Sequence, residues 1–363
     1  MTTWIRPEPP APVGWPPPDP AAGEFHRSLP GYVPTPVVDL PGLAAELGVG
    51  RVVVKDESAR FDLGAFKYLG AAWATFRAVA ERSGFTGGHN LADLRAHLAR
   101  GASVTLVTAT DGNHGRAVAR TARLLGLPAA VFVPEVVPPV VITRITHEGA
   151  DLTVVAGDYD TAVATASAAA DANPHAILVQ DTAWEGYERI PAWIVDGYGT
   201  LCVEMDAQLA ALGTRADAAL VPVGVGSLAQ AVLLHYAGTG ARVISVEPDT
   251  AACVLASMQS GALTSVATAG TVMNGLNCGT PSSIAWPYLK RGLAGAVAVT
   301  DEQDSDAMSL LAAGGLSIGP SGAASVAGAR VLLAGDGADE RRAALGLDRN
   351  STIVCICTEG ALE

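Results

Sequence analysis

From about residue 36 onward, short apolar runs alternate with longer amphipathic ones, and that alternation restricts the chain to a small set of folds. The apolar runs are VVVK (52–55), VTLVTAT (104–110), AAVFVPE (129–135), DLTVVAG (151–157), AILVQD (176–181), AALVPVG (218–224), RVISVEP (242–248), AVAVTD (296–301) and STIVCICT (351–358). Helical spacing occupies 67–82, 91–100, 115–125, 138–148, 158–172, 190–213, 228–239, 302–314 and 323–335. Each strand–helix–strand step is a βαβ unit, which requires parallel pairing and a right-handed crossover. With 363 residues, the pattern implies an α/β protein of two domains. Each has a mostly parallel twisted sheet flanked by helices, and ligands are expected at the carboxyl ends of strands, between the domains. The expected division is a proline-rich arm over 1–24, a smaller mobile domain over 67–181, and a larger domain from 25–66 plus 182–363. Proline fixes φ and removes donors, so the arm (PEPPAP, PPPDP) reads as extended rather than helical. Its Trp4 and Trp15 are expected to pack on the body or on a second subunit.

Composition removes several function classes. A net charge of −13 leaves no basic stripe for phosphate neutralisation, which argues against nucleic-acid or anionic-membrane partners. Residues 250–289 carry no charged side chain, but they are rich in Ser, Thr, Asn and Gly. They therefore read as a loop-and-helix segment lining a cavity and not as a membrane span. The five cysteines, at 202, 253, 278, 355 and 357, do not form a zinc-ligand pattern, and no metal site is expected. Their odd number and the lack of a signal peptide fit a reducing cytoplasm.

Five segments carry candidate chemistry. KDESARFDLGAFKYLGA (55–71) reads as a strand, a glycine-bearing loop and a helix that begins at Lys67. Most helix lysines are simply solvated. Here the helix start and the neighbouring Phe66 are expected to disfavour the ammonium, lower the pKa and leave a nucleophilic amine that can hold an aldehyde as an imine. In TATDGNHGRAV (108–118), Asn113 suits a phenolic oxygen on a pyridine ring. Asp111 is either an N-cap or an acid beside a bound amino acid, and His114 is either a base or a loop contact. VPVGVGSLAQAV (221–232) is strand, Gly-x-Gly-Ser loop and helix, a cradle for phosphate. A dinucleotide fingerprint would need glycine at 229, where Ala229 stands, and no Gly-Lys-Ser/Thr follows. In VQDTAWEGYERIP (179–191), Asp181 is placed at a strand end, as a catalytic acid or an N-cap, with Trp184 and Tyr187 either walling the cavity or packing. Finally, Thr358 ends the last strand with a neutral hydroxyl. A neutral partner at a pyridine nitrogen leaves a weaker electron sink, suited to α,β-elimination. The lysine and the phosphate cradle together suggest pyridoxal phosphate chemistry.

The segments KDESARFDLGAFKYLGA, TATDGNHGRA, QDTAWEGYERIPAWIVDGY, GVGSLA, VEPD, MNGLNCGTPSSIAWP and TEG together resemble the fold-type II, tryptophan-synthase-β-like pyridoxal phosphate enzymes, and within them the diaminopropionate ammonia-lyase family. The resemblance runs from about residue 33 to 360. It implies pyridoxal 5'-phosphate in the cleft between two domains, with Lys67 joined to it as an imine. It further implies Asn113 on the phenolic oxygen, Gly224, Val225, Gly226, Ser227 and Leu228 around the phosphate, Thr358 at the pyridine nitrogen, and Asp111 and Asp181 as acid or base flanking a small amino-acid substrate. A homodimer follows from the resemblance alone. Asp62, Asn274 and Asn277 depart from the family's usual small residues. The implied activity is elimination of ammonia from 2,3-diaminopropionate. The alternatives are a serine or threonine dehydratase, a β-replacement enzyme, or an amino-acid sensor that keeps the imine without turnover.

Overall fold

The structure, a computed structural model, describes residues 3–6, 14–101 and 103–362. The strands are β1 (Thr3–Ile5), β2 (Val37–Asp39), β3 (Arg51–Asp56), β4 (Thr105–Ala109), β5 (Ala129–Pro134), β6 (Asp151–Val155), β7 (Ala176–Leu178), β8 (Ala218–Pro222), β9 (Arg242–Pro248), β10 (Gly295–Val299) and β11 (Thr352–Cys357). They form two sheets in two compact units. One unit takes the N-terminal described residues up to Pro18, Pro34–Phe66 and Leu201 onward; the other takes Asp19–Val33 and Lys67–Thr200. The second unit therefore runs past Asp181, where the sequence pattern ended it, and includes a helix at Ala21–Ser28. After Pro34 the chain changes unit twice more, at Phe66–Lys67 and inside the helix Arg189–Ala211.

In the first unit the strand order is β1-β10-β9-β8-β11-β3-β2. The five central strands are parallel, and the antiparallel β1 and β2 close the edges. β8, β10 and β11 are buried along their whole length, as expected where helices cover both faces of a parallel sheet. The core joins Val52, Val54, Leu220, Ile244, Val297 and Ile353 to the helix Pro320–Leu333. In the second unit β6-β5-β4-β7 are all parallel.

The strand and helix pattern from residue 51 onward is recovered with ends shifted by a few residues. One shift matters for the chemistry: the run AILVQD stops as a strand at Leu178, so Asp181 lies beyond the strand and not at its last position. The described part of the proline arm packs on the body, as its tryptophans imply. β1 pairs with β10, with Trp4 opposite Ala296. Trp15 meets Tyr288 edge-on at 5.0 Å, and the Arg291 guanidinium lies over the Trp15 ring at 5.8 Å. Residues 7–13 of the arm lie outside the described residues. The helix at Ala21 begins directly after Pro20, because a proline's fixed φ and missing N–H are tolerated where a helix starts. The uncharged stretch contributes the helix Cys253–Ser260 and a 3-10 turn at Asn274–Leu276.

A buried charge network fixes the chain just ahead of Lys67. Lys55, Glu57, Arg60 and Glu204 are all buried. Arg60 bonds Glu57 at 2.7 Å and Glu204 at 2.7 Å; Lys55 bonds Glu204 at 3.0 Å and Gln208 at 2.9 Å. Two cations and two anions cancel, which is the condition under which burying them is tolerable. Immediately afterwards Phe61 (φ 53°) and Asp62 (φ 58°) occupy the left-handed region. Aspartate accepts that conformation readily. A bulky residue does so only when its surroundings impose it.

Asp304 has no such compensation. It is fully buried, and neither carboxyl oxygen has a hydrogen-bond partner among the described residues. Burial, with Asp301 and Glu359 adding like charge, pushes it up to about 7. The folded state therefore holds a proton that the unfolded chain releases near its ordinary value of about 4. Between those values the native state binds more protons, so Asp304's contribution to stability falls as pH rises from about 4 to about 7. Asp304→Asn is expected to be more stable than the parent above pH 7, with the gap closing toward pH 4. Urea unfolding across that range checks this, and a gap independent of pH contradicts it.

Candidate active site

Lys67 is the first residue of the helix Lys67–Ser83. Three residues on, Gly70 crosses Gly197 of the helix Arg189–Ala211. A Cβ on Gly70 would lie 2.5 Å from Tyr198 Cε1, and one on Gly197 would lie 2.5 Å from the Leu69 carbonyl oxygen and 2.8 Å from Gly70 Cα. Two glycines thus let the two backbones touch and lock the turn that carries Lys67. No local pattern marks them, because each is needed only for its partner's sake. His26, fully buried, reinforces the same turn by bonding the Leu69 carbonyl at 2.8 Å and the Thr200 hydroxyl at 2.8 Å.

The Lys67 ammonium forms an ion pair and a hydrogen bond with the Asp181 carboxylate. This reverses the expected lowered lysine pKa. Burial does disfavour the ammonium, but Asp181, with Tyr198 and Asp111 contributing, holds the group above its ordinary value. Asp181 shows the converse: burial favours its neutral acid, yet Lys67 and His114 hold it down to about 2. Asp181 is therefore an ionised base at neutral pH, and Lys67 is a charged amine that needs a proton acceptor beside it.

His114 is buried, with Nδ1 3.9 Å from the same Asp181 oxygen. Its Nε2 lies 2.8 Å from the Val179 carbonyl, which can only accept, so Nε2 carries the hydrogen. Burial lowers the His114 pKa, so Nδ1 presents a lone pair. Asp111 is exposed and is not an N-cap: the helix Asn113–Leu125 is preceded by Gly112, and the Thr110 hydroxyl receives the Gly112 and Gly115 N–H groups at 2.9 and 3.0 Å. Asp181 is not an N-cap either, since the next helix begins at Arg189. Asn113 is half-buried at the start of its helix. Lys67, Asp181 and His114 are thus in direct proximity, and Asp111 acts on Lys67 through its charge. Trp184 and Tyr187 stack on each other at 4.4 Å, and Tyr187 bonds the backbone at Leu178 and Gln180, which makes it a packing residue.

The remaining candidates stand on the first unit's sheet. β8 and β11 are parallel neighbours, so the loop after Pro222 and Thr358 leave from the same carboxyl edge. Gly224, Val225 and Gly226 lead into the helix Ser227–His235, which has no side-chain cap. Gly226 has φ 100°, and a Cβ there would meet Leu289 Cδ1 at 2.7 Å; one on Gly224 would meet Cys278 Sγ at 2.9 Å. Ser282 N–H donates to the Val225 carbonyl at 2.8 Å, which ties the loop to the chain at 282. Cys253 Sγ lies 3.7 Å from the Gly224 carbonyl, and neither Cys253 nor Cys278 is joined in a disulfide among the described residues. Thr358 is buried, and its carbonyl accepts from Phe66 N–H at 3.0 Å. The residue before Lys67 is therefore stapled to the strand end that bears Thr358.

Lysine is scarce in this chain. The chain holds three lysines, at 55, 67 and 290. Lys55 is consumed in the buried ion network, and Lys290 is exposed over the Trp286 ring at 6.0 Å. Lys67 alone joins partial burial to an adjacent carboxylate. An uncapped helix start on a glycine loop fits a phosphate, and this amine fits an aldehyde carbon.

A family model described as pyridoxal-phosphate dependent enzyme matches residues 29–359. The chain belongs to that family. Its cofactor is pyridoxal 5'-phosphate, and its fold is type II of these enzymes. Diaminopropionate ammonia-lyase of Escherichia coli K12 is 38% identical over 280 residues, covering 74% of this chain and 68% of that protein, which places the chain in the diaminopropionate ammonia-lyase family. Two crystal structures of the E. coli lyase match 94% of this chain and 88% of theirs. The complex with D-serine has a TM-score of 0.84 at 33% identity; the complex with an aminoacrylate-PLP azomethine reaction intermediate has 0.82 at 32%.

Gly197→Ala is expected to force the two helices apart and cost about 1–3 kcal/mol, the range for overpacking a filled contact. Gly88→Ala, with nothing within 4 Å of the added carbon, is expected to change stability by less than about 0.5 kcal/mol. Chemical unfolding of both variants tests the crossing, and equal stabilities contradict it.

Proposed function

We propose that this chain eliminates ammonia from 2,3-diaminopropionate, yielding pyruvate and a second ammonia. The Lys67–Asp181 pair carries the proposal, supported by 38% identity to a lyase of that name. In this reading Gly224, Val225, Gly226, Ser227 and Leu228 hold the cofactor phosphate through backbone N–H groups at a helix start. Asn113 meets the ring's phenolic oxygen, Thr358 meets its nitrogen, and Lys67 meets its aldehyde carbon. When bound, the cofactor supplies an electron sink for the charge left at the substrate's Cα.

The chain's own residues then move protons. Asp181, ionised and paired with Lys67 Nζ, holds and orients the ammonium, whose proton must leave before the amine can attack. Removal of the Cα proton by Lys67 or an aspartate breaks Cα–H, and the electron pair flows toward Cβ. The Cβ–N bond breaks with its electrons on nitrogen, and the departing group accepts a proton to leave as ammonia. An amine leaves poorly unless protonated, which is the physical use for carboxyl groups at both 111 and 181. Aminoacrylate then hydrolyses to pyruvate and ammonia. Serine or threonine elimination needs that assistance less. A base on each side of Cα would serve both enantiomers. The proposal extends to a homodimer in the cytoplasm, supported by the family resemblance and the odd cysteine count. No helix among the described residues is long and apolar enough to cross a membrane.

Lys67→Ala is expected to abolish both ammonia release and the visible absorbance of the lysine-bound cofactor. Asp111→Asn and Asp181→Asn are expected to lower turnover by about 100-fold or more, the scale of general acid–base catalysis, and unequally for the D and L substrates. Steady-state assays on both enantiomers check this. Wild-type turnover in the lysine variant contradicts the assignment, and equal losses on D and L remove the two-sided proton transfer.

A further inference from the structure

The segment between the end of β7 and Asp181 is held by side chains instead of by a strand. The last ladder pair is Val107 with Leu178. Val179 N–H still reaches the Val107 carbonyl at 2.8 Å. Beyond it the Val179 carbonyl accepts from His114, while the Tyr187 hydroxyl donates to the Leu178 carbonyl at 2.9 Å and accepts from Gln180 N–H at 2.8 Å. The Gln180 side chain, fully buried, completes the arrangement. Its oxygen accepts from Ala109 N–H at 3.0 Å and from the Thr108 hydroxyl at 3.2 Å, and its nitrogen donates to the Tyr159 hydroxyl at 2.8 Å. A backbone N–H can only donate, so the Ala109 bond fixes which way the amide faces.

Gln180 therefore provides the acceptor that a continued β7 would have offered to β4. Ala109 is the last residue of β4, two residues before Asp111, and Gln180 immediately precedes Asp181. One neutral amide ties the two chain ends that carry the two acids. We propose that Gln180 is a positioning residue which fixes Asp111 and Asp181 relative to each other and so sets the balance between D and L turnover; this rests on the reading that both acids act on the substrate. The chemistry required is narrow. An apolar side chain leaves the buried Ala109 N–H without its acceptor. An ionised glutamate cannot donate to Tyr159 and brings a second negative charge beside Asp181. A neutral glutamic acid reproduces both bonds, with its carbonyl toward Ala109 and its O–H toward Tyr159.

The test compares holoenzymes of the parent, Gln180→Met, Gln180→Glu and Tyr159→Phe. The measurements are kcat/KM on D- and L-diaminopropionate across pH and amide hydrogen exchange at Ala109. Gln180→Met is expected to keep the cofactor absorbance, to exchange Ala109 faster, and to change the D-to-L ratio by about fivefold or more, since small misplacements of reacting groups cost far more than that. Gln180→Glu is expected to match the parent ratio near about pH 6 and to drift toward the methionine variant near about pH 9 as the carboxyl ionises. An unchanged ratio with equal losses on both enantiomers, or parent-like Ala109 exchange, overturns the proposal. If the methionine variant does not fold, Tyr159→Phe at its half-buried position decides: a smaller ratio shift supports the proposal and an unchanged ratio overturns it. A parent enzyme that releases ammonia from neither enantiomer defeats the functional reading instead, while the exchange arm still reports on the tie.

Discussion

The ion pair between Lys67 and Asp181 is the interaction on which the proposed chemistry depends. A primary amine in a protein is ordinarily a hydrated, charged and unreactive group. Here it is partly buried and set against a carboxylate that its surroundings keep ionised. Each partner removes a reason for the other to leave: the ammonium is compensated as it loses water, and the acid has a proton donor at contact distance. The surrounding structure serves this arrangement. Gly70 and Gly197 fix the helix that begins at Lys67, His26 ties its first turn, and the Phe66 N–H anchors the preceding residue to the Thr358 carbonyl.

An acidic chain handling an anionic cofactor is not a contradiction. The net charge of −13 concerns the long-range field, which screening limits to distances of about 10 Å or less in physiological salt. The helix Ser227–His235 starts with no side-chain cap, so in the proposed site a phosphate at the Gly224–Leu228 loop would meet N–H dipoles without a competing side chain. Glycine is favoured there: Gly226 has φ 100°, which side chains rarely adopt, and a Cβ at 226 or 224 would press on the ends of the Leu289 and Cys278 side chains.

Much of this was legible from the chain alone, for identifiable reasons. Alternating apolar and amphipathic runs leave few arrangements other than parallel βαβ units, and the sheets follow. The lysine, its glycine-bearing loop and the uncapped Gly-x-Gly-Ser turn are contiguous motifs, so proximity in sequence reports proximity in space. What was not legible depends on contacts between distant segments. The lysine's charge state turns on Asp181, 114 residues away. The Gly70–Gly197 crossing and the Arg60–Glu204 network likewise have no local signature. The end of β7 was misplaced because Val179 and Gln180 are apolar and polar in the order a strand would show, while side chains from His114 and Tyr187 take their backbone groups. The helix at Ala21 was hidden by its prolines, which mark a helix start as readily as an extended arm.

The most direct test uses the scarcity of lysine. The purified protein is reduced with borohydride, digested and mapped by mass spectrometry, so that a cofactor joined to an amine is fixed where it stood. With lysines only at 55, 67 and 290, the outcome is unambiguous. The pyridoxyl mass is expected on the peptide that contains Lys67 and on no other. A label on Lys55 or Lys290, or no label on a protein shown to carry the cofactor, contradicts the account.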